Sequence, residues 1–166
     1  MDIQQQATEE LQKIAELIGE IKFCMMTTED DDGTLRSRPM STLQMEADGT
    51  LWFFTSLSSP KIDEAQHHRH VNLSYARPDK QDYVSVSGTA AILRNPEKMQ
   101  QLWTPWVKPW FPQGLADPDL VLIRVTMDEA EYWDAPGNVI KRFYGLSKGV
   151  VTGKTDALGE NRKVIM

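Results

Sequence analysis

Two Asp-Gly turns constrain this chain more than any other feature. Asp32-Gly33 closes the acidic run Glu29-Asp30-Asp31-Asp32, and Asp48-Gly49 stands between Met45 and Leu51. Asp-Gly between extended segments favours a tight reversal of the chain. The segments around these turns, residues 22–28, 34–45 and 51–56, are rich in β-compatible residues. The pattern predicts three strands joined as an antiparallel meander.

The remainder alternates short helices with further strands. Leu11, Ile14, Ala15 and Ile18 follow helical spacing after Thr8, which predicts a helix within about residues 5–19 with Thr8 as its N-cap and Gly19 at its end. Ser59-Pro60 opens a short helix from Lys61 to about His68, and Asn95-Pro96-Glu97 opens another to about Trp103. Strands are expected over 71–76 and 83–93, where Val84, Val86 and Gly88 alternate with Ser85, Ser87 and Thr89. A loop of packed aromatics follows at 104–118, then a strand over 120–133, bent near Met127-Asp128. A short helix at 137–146 and a loosely held tail at about 150–166 complete the reading. Six or seven strands with short helices between them point to a mainly β fold. The expected form is a closed or nearly closed antiparallel barrel with peripheral helices, one domain over residues 1–166.

Composition removes several function classes. A net charge of −6 argues against general nucleic-acid binding, which neutralises phosphates. One cysteine, Cys24, excludes an intramolecular disulfide framework; between Phe23 and Met25 it reads as a small buried hydrophobe. The N-terminal sequence has no basic segment followed by an apolar one, and no apolar run approaches the ~18 residues of a membrane span. A cytoplasmic protein that neither enters a membrane nor binds nucleic acid is the expectation.

Most motif-like stretches lack the context their chemistry needs. Gly149 to Thr155 is one residue short of a P-loop between its glycines and has no parallel sheet around it. His67, His68 and His70 lack metal-ligand spacing and partners, so no metal site is expected. Glu29 to Asp32 reads as a turn rather than a calcium loop. Asp128, Glu129, Glu131 and Asp134 read as exposed strand and turn residues. Trp103, Trp106 and Trp110 read as core or interface packing.

Two segments carry more. On a strand, Arg36, Arg38 and Met40 share one face, and Pro39 removes a ladder donor, which puts the stretch at an edge or a break of the sheet. In Phe54-Thr55-Ser56-Leu57-Ser58-Ser59-Pro60-Lys61 a strand runs out into hydroxyls, a helix start and a lysine. Hydroxyl donors, free N–H groups and a cation together suit a phosphate-bearing ligand.

The order of these motifs resembles the general stress protein branch of the pyridoxamine 5'-phosphate oxidase-like split barrels. The likeness rests on the N-terminal helix, the Asp-Gly turn, Arg38-Pro39-Met40, Leu51 to Ser56 and Ser59-Pro60-Lys61. It extends to Trp110 to Asp119 and Ala130 to Asp134, so that about residues 8–155 are covered. The resemblance implies an FMN-binding split barrel that forms a homodimer with flavins at the subunit interface. It implies that Arg38, Thr55, Ser56, Ser59 and Lys61 hold the phosphate and ribityl chain. By the same likeness Pro39, Met40 and Phe54 line the isoalloxazine, and Trp110 and Trp133 approach it from the other subunit. The chain lacks the long N-terminal segment and the substrate-phosphate arginines of true pyridoxamine phosphate oxidases, so that reaction is not expected. A flavin-dependent oxidoreductase of unknown small substrate is the implied function, a non-catalytic FMN-binding or stress-response protein the alternative. Deazaflavin-binding relatives have similar barrels.

Overall fold

The computed structural model describes residues 1–59, 69–134 and a strand at 160–165. The helices expected at 61–68 and 137–146, the residue Lys61 and the stretch Gly149 to Thr155 lie outside the described residues. Helix α1 (Glu9–Gly19) starts where Thr8 accepts a hydrogen bond from Leu11 N at 3.2 Å. It is shorter than the 5–19 segment expected. Residues 2–7 run extended beside the second Asp-Gly hairpin, with Gln4 N bonded to Met45 O at 3.0 Å and Ala7 N to Ala47 O at 2.8 Å. That run begins as strand β1 (Asp2–Ile3).

The strands that follow are β2 (Cys24–Glu29), β3 (Leu35–Met40), β4 (Gln44–Met45), β5 (Leu51–Ser56), β6 (His70–Arg77), β7 (Asp82–Leu93) and β8 (Leu120–Asp134). Helix α2 (Pro96–Leu102), capped by Asn95, lies between β7 and β8. Both Asp-Gly turns form, with φ of +82° at Gly33 and +85° at Gly49, a region glycine enters without a Cβ penalty.

The expected three-strand meander is corrected. The sheet runs β1-β4-β5-β8-β7-β6-β2-β3, so β3 and β5 are not neighbours. The chain leaves β3 at Met40, crosses through Ser41-Thr42-Leu43, and pairs β4 with β5 far along the sheet. Two features explain the separation. Pro39 sits on β3, which among the described residues pairs only with β2, an edge position where its missing N–H costs nothing. β5 is apolar from Leu51 to Phe54, and Leu51 and Phe53 enter one core while Trp52 and Phe54 enter another. A strand covered on both faces belongs inside the sheet, here between β4 and β8.

The larger core is enclosed by the curled sheet and covered by α1, whose Leu11, Ile14 and Ile18 join Met26, Phe53, Leu73, Val86 and Ile123. The smaller core packs α2 and the 104–118 loop onto the outer face of β5 and β8. The bend expected near Met127-Asp128 is a bulge: Ser87 pairs with Glu129 and Gly88 with Met127, leaving Asp128 as the extra residue. The tail is corrected at its end. Glu160–Ile165 forms strand β9, antiparallel to β8 along Glu129–Asp134. β5 uses the other half of the same β8 edge, Leu120–Val125, so β8 has open ladder groups for β9 to satisfy. No helix among the described residues is long and apolar enough to cross a membrane.

Candidate functional site

The ends of β3 and β5 and the 104–118 loop meet around one cleft of about 320 Å³, near the lower end of ligand-site volumes of roughly 300–1,000 Å³. β3 contributes Pro39 and Met40, with Ser41 and Leu43 from the crossing that follows. β5 contributes Phe54, Thr55 and Ser56, with Ser59 beyond it. The loop contributes Trp106, Val107, Trp110 and Phe111, and Phe23 completes the wall.

The loop is held by its own turns and by aromatic contacts. Pro105 starts a single 3₁₀ turn over Pro105–Val107, and buried Val107 accepts from Trp110 N at 3.1 Å and from Phe111 N at 3.3 Å. Phe54 anchors it from the sheet, edge-on to Trp103 at 5.9 Å and to Phe111 at 6.3 Å. Trp106 and Trp110 lie 5.7 Å apart at the mouth and remain 52% and 55% exposed. Lys22 Nζ lies 5.3 Å from the Trp106 ring centre.

Beneath the cleft, the crossing is fastened from inside the barrel. Thr42 Oγ1 and Tyr75 Oη share a buried hydrogen bond of 2.9 Å, and Cys24 Sγ donates to Met40 O at 3.6 Å. Burial pushes the Cys24 thiol up to about 11, so it stays protonated and inert at neutral pH. Burial likewise pushes the Tyr75 hydroxyl well above its usual value.

The rim is polar. Ser56 Oγ donates to Asp119 Oδ2, while Ser58 donates through N to Oδ1 and through Oγ to Oδ2, both at 2.8 Å. Those hydrogen bonds hold the Asp119 carboxyl below the usual range. Among the described residues Thr55 Oγ1 is buried without a hydrogen-bond partner.

A family model described as pyridoxamine 5'-phosphate oxidase like matches residues 9–157. The chain belongs to this family. Protein bli-3 of Neurospora crassa is 33% identical over 153 residues, which cover 86% of this chain and 73% of that protein. The general stress FMN/FAD binding protein of Xanthomonas citri has a similar structure at 28% identity, with a TM-score of 0.68 over 85% of this chain and 100% of its own. General Stress Protein 26 of Bacillus anthracis is similar at 25% identity and a TM-score of 0.67, over 75% and 94% of the two chains. The general stress resemblance drawn from the sequence therefore holds.

Within this pyridoxamine 5'-phosphate oxidase-like chain, the cleft gathers Pro39, Met40, Phe54, Thr55, Ser56, Ser59 and Trp110. Trp110 lines the cleft of its own chain, where the resemblance had supplied it from a second subunit. The reason is the docking of the 104–118 loop on Phe54. Arg38 is adjacent on β3, outside the wall, with Nη1 donating to Thr28 Oγ1 at 2.7 Å. Trp133 lies far along β8 from the cleft, paired in register with Tyr83 and Asn161. Sequence reasoning missed Phe23, Ser41, Leu43, Val107 and Phe111 as wall residues, and it gave Asp119 no role. No local motif marks them. Trp106 and Trp110 did carry a signal, since aromatics four residues apart beside prolines fold onto one side of a compact loop.

Proposed function

We propose that this chain binds FMN in the cleft at the ends of β3 and β5 and acts as a flavin-dependent oxidoreductase on a small substrate. The observation that carries this reading is the cleft's division into an apolar slot and a hydroxyl-bearing rim, with Thr55 Oγ1 buried beside it and without a hydrogen-bond partner among the described residues. Aromatic, proline and methionine walls suit a flat tricyclic ring, and the rim suits a polyhydroxyl chain ending in phosphate. The similarity to the general stress FMN/FAD binding protein of Xanthomonas citri adds support. A bound flavin would supply the redox chemistry. Pro39, Met40 and Phe54 would hold and orient its ring, and Trp106 and Trp110 would exclude water at the mouth. Ser56 and Ser59, with Arg38 and Lys61, would meet the ribityl and phosphate end.

The assembly in this reading is a homodimer. Trp106 and Trp110 are more than half exposed, and Phe23, Met25 and Leu35 add exposed apolar surface from β2, β3 and the segment before β2. Such a surface is what a second copy would cover. Purified protein should release FMN on denaturation, identified by mass spectrometry, or quench added FMN on titration. Sedimentation should report twice 18.9 kDa. Failure to bind any flavin refutes the reading.

One observation favours a second reading, a flavin-holding stress protein without turnover. Among the described residues no acidic, basic or histidine side chain lines the cleft. Consumption of a reduced nicotinamide by the holoprotein decides for the oxidoreductase; stable flavin without turnover decides for the second.

A further inference from the structure

At the rim of the cleft, the donors suited to an anion already hold one. Ser56 lines the cleft, and its hydroxyl points its hydrogen bond at the Asp119 carboxylate. Ser58 commits both its N–H and its hydroxyl to the same group at 2.8 Å. The carboxylate is seated by its backbone rather than by chance of rotamer. Asp119 N donates to Asp117 Oδ1 at 2.9 Å, and Leu57 N donates to Asp119 O at 2.7 Å. Arg94 Nη1 holds the preceding carbonyl, Pro118 O, at 2.6 Å. Among the described residues no lysine or arginine forms a salt bridge with Asp119. The donors to its carboxylate, Ser56 Oγ, Ser58 N and Ser58 Oγ, are neutral, so they solvate its charge without cancelling it.

Two anions cannot share the same three donors, and like charges on one rim repel. A flavin without its phosphate meets no such conflict, because its chain ends in a neutral hydroxyl. We propose that Asp119 is a specificity-determining residue, an internal anion on the Ser56–Ser58 rim that holds down the preference of this cleft for a phosphate-bearing flavin over the dephosphorylated form.

The inference rests on the flavin reading above, and the experiment separates the two. Full-length wild type, Asp119→Asn and Asp119→Glu are titrated with FMN and with riboflavin by fluorescence quenching at fixed salt. Folding is checked by thermal melting; Asp119→Ser replaces the asparagine variant if that chain does not fold. Asp119→Asn should tighten FMN by about tenfold, equivalent to about 1.4 kcal/mol, and leave riboflavin unchanged. Asp119→Glu keeps the charge and should keep the wild-type ratio of the two affinities. If both flavins bind and the ratio stays fixed or falls in Asp119→Asn, Asp119 is a structural fastener only and the inference is overturned alone. If neither flavin binds any of the chains, the flavin reading falls and the inference falls with it.

Discussion

Gly88 stands beside the β7–β8 bulge, where a methyl group has no room. A Cβ built there lies 2.4 Å from Thr126 O and 2.9 Å from Val125 Cγ1. The oxygen must retreat by about 0.6 Å simply to reach 3.0 Å, a separation still tight for a Cβ contact. That oxygen belongs to the ladder between β7 and β8, the long pair to which both β6 and β5 attach. Moving it strains a ladder that cannot swing aside like a side chain. Overpacking a filled site costs about 1–3 kcal/mol, and a weakened backbone hydrogen bond adds about 1 kcal/mol. Gly88→Ala should therefore destabilise by about 2–4 kcal/mol, or lower the melting temperature by about 4–16 °C in a chain of this length. Gly33→Ala is the internal comparison. Gly33 has φ +82° but open space around its Cβ position, so only the conformational cost of about 1–2 kcal/mol applies. Urea unfolding followed by circular dichroism measures both. A Gly88→Ala chain within about 0.5 kcal/mol of wild type, or more stable than Gly33→Ala, refutes the steric argument.

The buried Cys24 thiol, raised from 9.0 to about 11, contributes stability that is fully present below pH 9 and lost as pH rises toward 11. The loss is about 1.4 kcal/mol per pH unit in that window; Cys24→Ala should flatten it in urea titrations, and thiol labelling of native wild type should be slow. Lys98 Nζ lies 2.6 Å from both Gln44 Oε1 and Glu46 Oε1 and 4.8 Å from the Trp52 ring centre. Lys98→Met leaves the buried Gln44 oxygen unpaired and should cost about 1–3 kcal/mol, read from the urea midpoint. Arg38→Met should weaken FMN roughly 10- to 150-fold and leave riboflavin unchanged, since a charge-assisted bond to phosphate is worth roughly 1.5–3 kcal/mol; equal loss for both ligands, by fluorescence titration, places the phosphate elsewhere. Trp110→Ala should weaken both flavins alike, by about 2- to 12-fold, because an aromatic contact of roughly 0.5–1.5 kcal/mol is lost on the ring and not on the phosphate.

What the sequence determined by itself is local. Asp-Gly pairs set the two hairpin turns, Thr8 and Asn95 set the helix starts, and alternation set β7. These signals lie within a few residues of what they specify. The segment Leu51 to Ser56 also read as a strand, but the burial of both its faces and the strands that flank it were decided by the packing of the two cores. Tertiary structure decided the partners. It separated β3 from β5 across the sheet, and it brought β9 onto the half of β8 that β5 leaves bare. It also folded the proline and tryptophan loop over Phe54, which put Trp110 into its own chain's cleft. Asp119 shows the limit most clearly. Its position in Asp117-Pro118-Asp119 says nothing of Ser56 and Ser58, because they meet only where the start of β8 pairs with the end of β5. Turn and cap chemistry is encoded in neighbouring residues, whereas an anion and its donors 61 and 63 residues apart are joined only by the strand register, which burial of both cores fixes.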